Sequence, residues 1–165
     1  DNSVFVDDVK VAVGGGASGP TLRNPSFEED KISGDFQYKT PTKWSASEKG
    51  VVVAKNGNGP WGGLKTGVPD NQFAVLQNTG SFVEQAITGL KAGETYTVSF
   101  LLSSRPGYGD GESMKVMVDG KDIVSSFHPP TAFTRYSGSF TAGGSTAMLR
   151  FENTSPGGDN SVFVD

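Results

Sequence analysis

Residues 94–102 read Glu-Thr-Tyr-Thr-Val-Ser-Phe-Leu-Leu, which places Tyr96, Val98, Phe100 and Leu102 on one side of an extended chain. A period of two marks a strand with one buried face, and it is incompatible with the apolar stripe of a helix. The pattern recurs at residues 113–118, where Met114, Val116 and Val118 oppose Lys115, Met117 and Asp119. Asp119-Gly120 is a hairpin signal leading into Lys121-Asp122-Ile123-Val124. Further strands are expected at 44–47, 50–54, 72–77, 81–88, 133–141, 146–153 and 160–165. No window holds an i, i+3, i+4, i+7 apolar pattern long enough for a helix. Ten or so short strands separated by turns predict an all-β protein, a jelly-roll β-sandwich of two antiparallel sheets. The 23 glycines and 9 prolines supply the turns, and 35% hydrophobic residues suffice where only alternate positions face a core.

The chain also repeats itself. Asp1-Asn2-Ser3-Val4-Phe5-Val6-Asp7 recurs letter for letter as Asp159-Asn160-Ser161-Val162-Phe163-Val164-Asp165, an offset of 158 positions. This indicates a tandem repeat, although a circular permutation leaves the same trace. Under the repeat reading, residues 1–13 are the last strand of a preceding copy, 14–20 a glycine-rich linker, and 21–165 the domain. That domain then lacks half its closing strand, unless residues 1–13 fill the place within this chain or in a neighbour.

A net charge of −4 argues against nucleic acid, whose binding requires a basic surface. No apolar run approaches the roughly 20 residues of a membrane-spanning helix. With no cysteine, disulfides, zinc–thiolate sites and cysteine nucleophiles are all absent. The single histidine, His128, precedes two prolines and reads as a surface residue. Nothing resembles a nucleophile elbow, and the segment Gly107-Tyr108-Gly109-Asp110-Gly111 lacks the Lys-Ser/Thr of a phosphate loop. The chain therefore reads as non-enzymatic.

The order of landmarks is informative. Asn24-Pro25-Ser26-Phe27-Glu28 opens the domain, Trp44 follows, then Phe73-Ala74-Val75-Leu76-Gln77 and Leu90-Lys91-Ala92-Gly93-Glu94. Ser103-Ser104-Arg105 ends the long strand, Leu149-Arg150-Phe151-Glu152-Asn153 comes late, and Val4-Phe5-Val6-Asp7-Asp8-Val9 is the closing strand. This resembles the galactose-binding-domain-like superfamily, especially carbohydrate-binding modules related to families 4, 9 and 22 and the plant cell-wall domain-of-unknown-function 642 proteins. The chain lacks the cysteines of the plant proteins. The resemblance implies a secreted, extracellular domain that attaches to polysaccharide or glycan.

It also implies a structural Ca²⁺ held by an acidic residue of the first strand and one of the last, here Glu28 (or Glu29) and Asp165, with Asp7 the counterpart of Asp165 in the preceding copy. Simple alternation places Asp7 on the strand face of Phe5, Val9 and Val11, where a carboxylate is costly unless paired or bound to metal. The alternative is a carboxylate at a strand end accepting backbone N–H groups.

Three stretches exceed the length of a turn and carry aromatics: 56–67, 106–112 and 127–133. Sugars are recognised by aromatic faces and planar polar groups. Trp61 and Tyr108 are thus the candidate stacking residues, with Arg105 as polar partner and Asn56, Asn58 and Asp110 assisting. The alternatives are that Trp61 and Tyr108 anchor their own loops and that Arg105 pairs with Asp110 or Glu112. Trp44 is assigned to the core. Asn153-Thr154-Ser155 matches the N-glycosylation tripeptide. Two functions fit: a carbohydrate-binding module, and a structural or adhesive repeat of an extracellular filament whose partners are neighbouring copies, joined by strand exchange.

Overall fold

The computed structural model describes residues 4–13, 19–57, 60, 71–105, 111–156 and 161–164. Among these residues are twelve strands and no α-helix: β1 (Val4–Val13), β2 (Phe36–Tyr38), β3 (Ser45–Ala46), β4 (Val51–Lys55), β5 (Gln72–Gln77), β6 (Phe82–Thr88), β7 (Thr95–Ser104), β8 (Met114–Val118), β9 (Lys121–Phe127), β10 (Thr134–Thr141), β11 (Thr146–Asn153) and β12 (Ser161–Val164). They form two antiparallel sheets. Sheet A runs β10, β7, a position shared by β1 and β12, then β5, β4 and β2, and sheet B runs β3, β6, β11, β8, β9. The expected strands at 72–77 and 146–153 coincide with β5 and β11. Strand β2 escapes a periodicity argument because it is three residues long and exposed throughout.

The inner faces of both sheets share one core. Val98, Phe100, Leu102, Ala74 and Leu76 of sheet A meet Val83, Ile87, Val116, Leu149 and Phe151 of sheet B. Phe100 and Phe151 meet edge to face at 5.2 Å between centroids. Trp44 is buried as expected, 6.3 Å from Phe151 and 5.4 Å from Phe27. Its indole N–H donates to the Asn24 carbonyl at 2.9 Å, which satisfies the one polar atom that burial would otherwise strand. At one edge the sandwich closes so tightly that a Cβ on Gly138 would lie 2.7 Å from the Ile123 carbonyl oxygen.

Sheet A has a second apolar face. Val52, Ala54, Phe73, Val75 and Leu101 form a separate buried cluster completed by Phe133, whose ring is 6.0 Å from that of Phe73. Consequently β5 is buried at every residue and shows no in–out alternation. In β1 a register shift between Asp7 and Lys10 breaks the simple alternation expected there. Asp7 is opposite Leu101, a member of the outer cluster, whereas Val9 and Val11 belong to the inner core. The simple alternation expected from Asp7 to Val11 is thus interrupted by one extra residue in β1.

Candidate functional site

Residues directly opposite in a sheet share a face. Tyr38 pairs with Val52 and Val52 with Val75, while Phe36 pairs with Ala54 and Ala54 with Phe73. Phe36 and Tyr38 thus prolong the outer apolar face of sheet A to its edge, where they are 37% and 59% exposed while their row neighbours are fully buried. The two rings meet edge to face at 6.3 Å. Tyr38 is fixed by its hydroxyl, which donates to Gln77 Oε1 at 2.8 Å. Beside it is a cavity of about 400 Å³ lined by Tyr38, Lys39, Lys49, Gly50, Gln77 and Asn78, among others. Its lining needs glycine at Gly50, which has φ of +82°, and a Cβ there would collide with the Gln77 carbonyl. This aromatic edge leaves little trace in the sequence. Its signal, two aromatics two residues apart in Phe36-Gln37-Tyr38, was too short to register.

Arg105 lies at the same end of sheet A as Gln77, just past the end of β7. It is 6% exposed, and its Nη2 donates to the Pro60 carbonyl at 2.7 Å. The chain from Lys55 to Gln72 leaves the sheet at the opposite end, so this bond brings Pro60 back along the sheet. The 127–133 stretch joins the same end. His128 Nδ1–H donates to the Glu112 carbonyl at 2.6 Å, and Ser104 N–H to the Pro130 carbonyl at 2.8 Å. Glu112 is 1% exposed, and burial pushes its carboxyl up to about 7, against the opposing pull of the Ser104 side chain and of the Arg105 charge and backbone. Arg105 thus ties the Pro60 segment to the end of β7, and its charge and backbone act on the neighbouring Glu112 carboxyl. Trp61, Asn58, Tyr108 and Asp110 lie outside the described residues. Asn56 closes the base of its loop, its N–H donating to the Asn71 carbonyl at 2.8 Å.

The opening Asn-Pro-Ser-Phe-Glu motif is a polar knot. Asn24 and Phe27 adopt φ of +48° and +59°. Asp30, 3% exposed, accepts from Asn24 Nδ2 at 2.8 Å, from Thr42 N–H at 3.0 Å and from Thr42 Oγ1 at 2.9 Å, and pairs with Lys39 at 2.6 Å. Asp30, rather than the expected Glu28 or Glu29, is the acid at the centre of this knot. Glu28 Oε1 accepts the N–H groups of Asn71 at 2.7 Å and Gln72 at 2.6 Å. Glu29 is exposed, and its N–H donates to Asn24 Oδ1 at 3.0 Å. Glu28 and Asn56 line one cavity of about 470 Å³, and Asn56 Oδ1 is buried without a hydrogen-bond partner among the described residues. Both are oxygens of the kind calcium takes, although Lys31 and Lys55 line the same cavity. Asp165 and the Asp7 side chain lie outside the description.

The amide of Asn153 is fully buried: Nδ2 donates to the Leu76 carbonyl at 3.0 Å and Oδ1 accepts from Ser155 N–H at 2.8 Å. The folded domain therefore leaves no room for a glycan on that tripeptide. The outer face of sheet B carries a charged strip. Arg150 bonds Glu84 at 2.8 Å, approaches Glu152 at 3.4 Å and lies 3.8 Å over the Phe82 ring.

No family model matches this chain, and neither does any curated protein. Among solved structures it is similar to the C-terminal domain of EclA, a sugar-binding protein, with 26% identity and a TM-score of 0.46, over 62% of this chain and 81% of that one.

Proposed function

We propose that this domain is a non-catalytic carbohydrate-binding module whose ligand lies along the Gln77–Arg105 end of the outer face of sheet A. The observation that carries the reading is Tyr38: an aromatic ring held by its hydroxyl, with more than half its surface open, beside a cavity that Gln77, Asn78 and Lys49 help to line. Such a ring offers a sugar's C–H face apolar area with little ordering cost. Gln77, Asn78 and Lys49 supply hydrogen-bonding groups. Four strand spacings, about 19 Å, separate β2 from β7, so an oligosaccharide reaching from Tyr38 would approach Arg105 and Pro60. A secreted location and weak sites in tandem suit this role, since linked copies gain strength through effective concentration. A calcium ion at Glu28, with Asn56 and the closing-strand acid, would tighten the opening knot.

Titration calorimetry against a panel of soluble polysaccharides tests the proposal. Binding is expected, with Tyr38→Ala weakening it by about tenfold or more; Trp61→Ala and Tyr108→Ala weaken it where their loops take part. Undiminished binding by Tyr38→Ala removes the site from β2. No binding to any glycan leaves the second reading, a structural repeat, which the shared strand position of sheet A favours.

A further inference from the structure

Strands β1 and β12 carry the same sequence and claim the same place. Phe5 and Phe163 are each in register with Val75 of β5 and Ser103 of β7, and Val6 and Val164 are each in register with Ala74 and Leu102. Each residue of β5 and β7 has a single N–H and C=O to offer, so the two edges can be fully bonded to only one of these strands at a time. The position has to be filled. Strand β5 is buried along its whole length and β7 from Phe100 to Ser104, so an empty place would strand unpaired backbone inside the sheet.

The two occupants differ in reach. Beyond the shared residues, β1 continues along β7 with Lys10–Val13 opposite Ser99–Tyr96 and buries Val9 in the core. Strand β12 instead extends along β5, with Ser161 and Val162 opposite Gln77 and Leu76. Each chain thus holds one acceptor position and two strands that fit it.

We propose that the β5–β7 position is a strand-acceptor site that either copy of the heptapeptide completes, and that the strand left over can complete the same site in a second copy of the domain whose own strands do not occupy it. The partner follows from the register: a strand that fits here at one end of the chain fits equally when it comes from the other end, and hence from a neighbouring copy. Recognition is by β-augmentation, in which main-chain hydrogen bonds supply affinity and alternate side chains supply register. Within one chain the tethered strands have effective concentrations of roughly millimolar order, so exchange between chains becomes visible when a chain's own strands are disabled. This proposal is independent of glycan binding.

Proline removes the N–H a central strand needs, so the full chain is compared with Val6→Pro, Val164→Pro and the double variant. Each single variant is expected to remain folded and monomeric, because the other copy takes the site. The double variant is expected to melt far lower and to form a one-to-one complex with the unaltered chain, seen by light scattering after size exclusion. Should the double variant not fold alone, refolding it with a synthetic peptide of residues 1–13 is expected to restore its far-ultraviolet dichroism. A single variant as damaged as the double one overturns the proposal, as does a double variant that neither the unaltered chain nor the peptide restores.

Discussion

The two sheets contribute to one core, yet they treat their second faces in opposite ways. In sheet B, β11 alternates buried and open positions, and its outer side carries Glu84, Arg150 and Glu152 in contact with water. In sheet A, β5 is buried on both sides, the outer face is apolar out to the Phe36–Tyr38 edge, and one strand position has two claimants. A sheet with a solvated face needs only the core to define it. A sheet apolar on both faces requires a cover, and where that cover ends it leaves aromatic surface and strand edges able to take a ligand or another chain. The interactions of this domain are accordingly expected on sheet A.

The largest test of that contrast is a charge on the covered face. Val75→Asp buries an unpaired carboxylate and is expected to cost more than about 4 kcal/mol in urea unfolding; a cost near zero would mean that the outer face of sheet A is as open as that of sheet B. Next is Glu112, which stands where the loops meet sheet A. Its carboxyl titrates near 7 in the folded domain against an ordinary 4.5, so between those values the folded state binds more protons than the unfolded one. The contribution of Glu112 to stability is then most favourable below pH 4.5 and declines as pH rises toward 7. Glu112→Gln should flatten this dependence and stabilise the domain at pH 8 by up to about 3 kcal/mol, as melting curves across the window would show. The smallest effect is expected on the open face. Arg150→Ala removes two surface ion pairs and a ring contact, for a loss within about 1 kcal/mol that shrinks further in salt.

Strand β11 of sheet B was readable from the sequence because it alternates, and it was found at its true limits. Strand β5 was expected at its true limits although it is buried at every residue and does not alternate. Period alone failed in two places. The register shift in β1 interrupts the pairing between Asp7 and Lys10, and a bulge leaves no trace in an alternating pattern. Strand β2 is too short to have a period. At the candidate site, residue type suggested Arg105 as a sugar contact, but its burial and its bond to Pro60 are products of chain packing that local sequence does not encode. Asp30 looked like one more acid in Glu28-Glu29-Asp30, and only the fold brings Lys39, Thr42 and Asn24 to it. The duplicated heptapeptide was visible at once; that both copies fit one place required the register.

Disulfide trapping tests that shared place most directly, since the chain has no cysteine of its own. Ser103 is opposite both Phe5 and Phe163, and opposed residues on adjacent strands come close enough to bridge. Phe5→Cys with Ser103→Cys, and Phe163→Cys with Ser103→Cys, should both oxidise to a cross-linked chain, whereas a chain carrying all three should retain one thiol, read by mass spectrometry. Bridging by only one of the two pairs would contradict the account, because the position would then belong to a single strand.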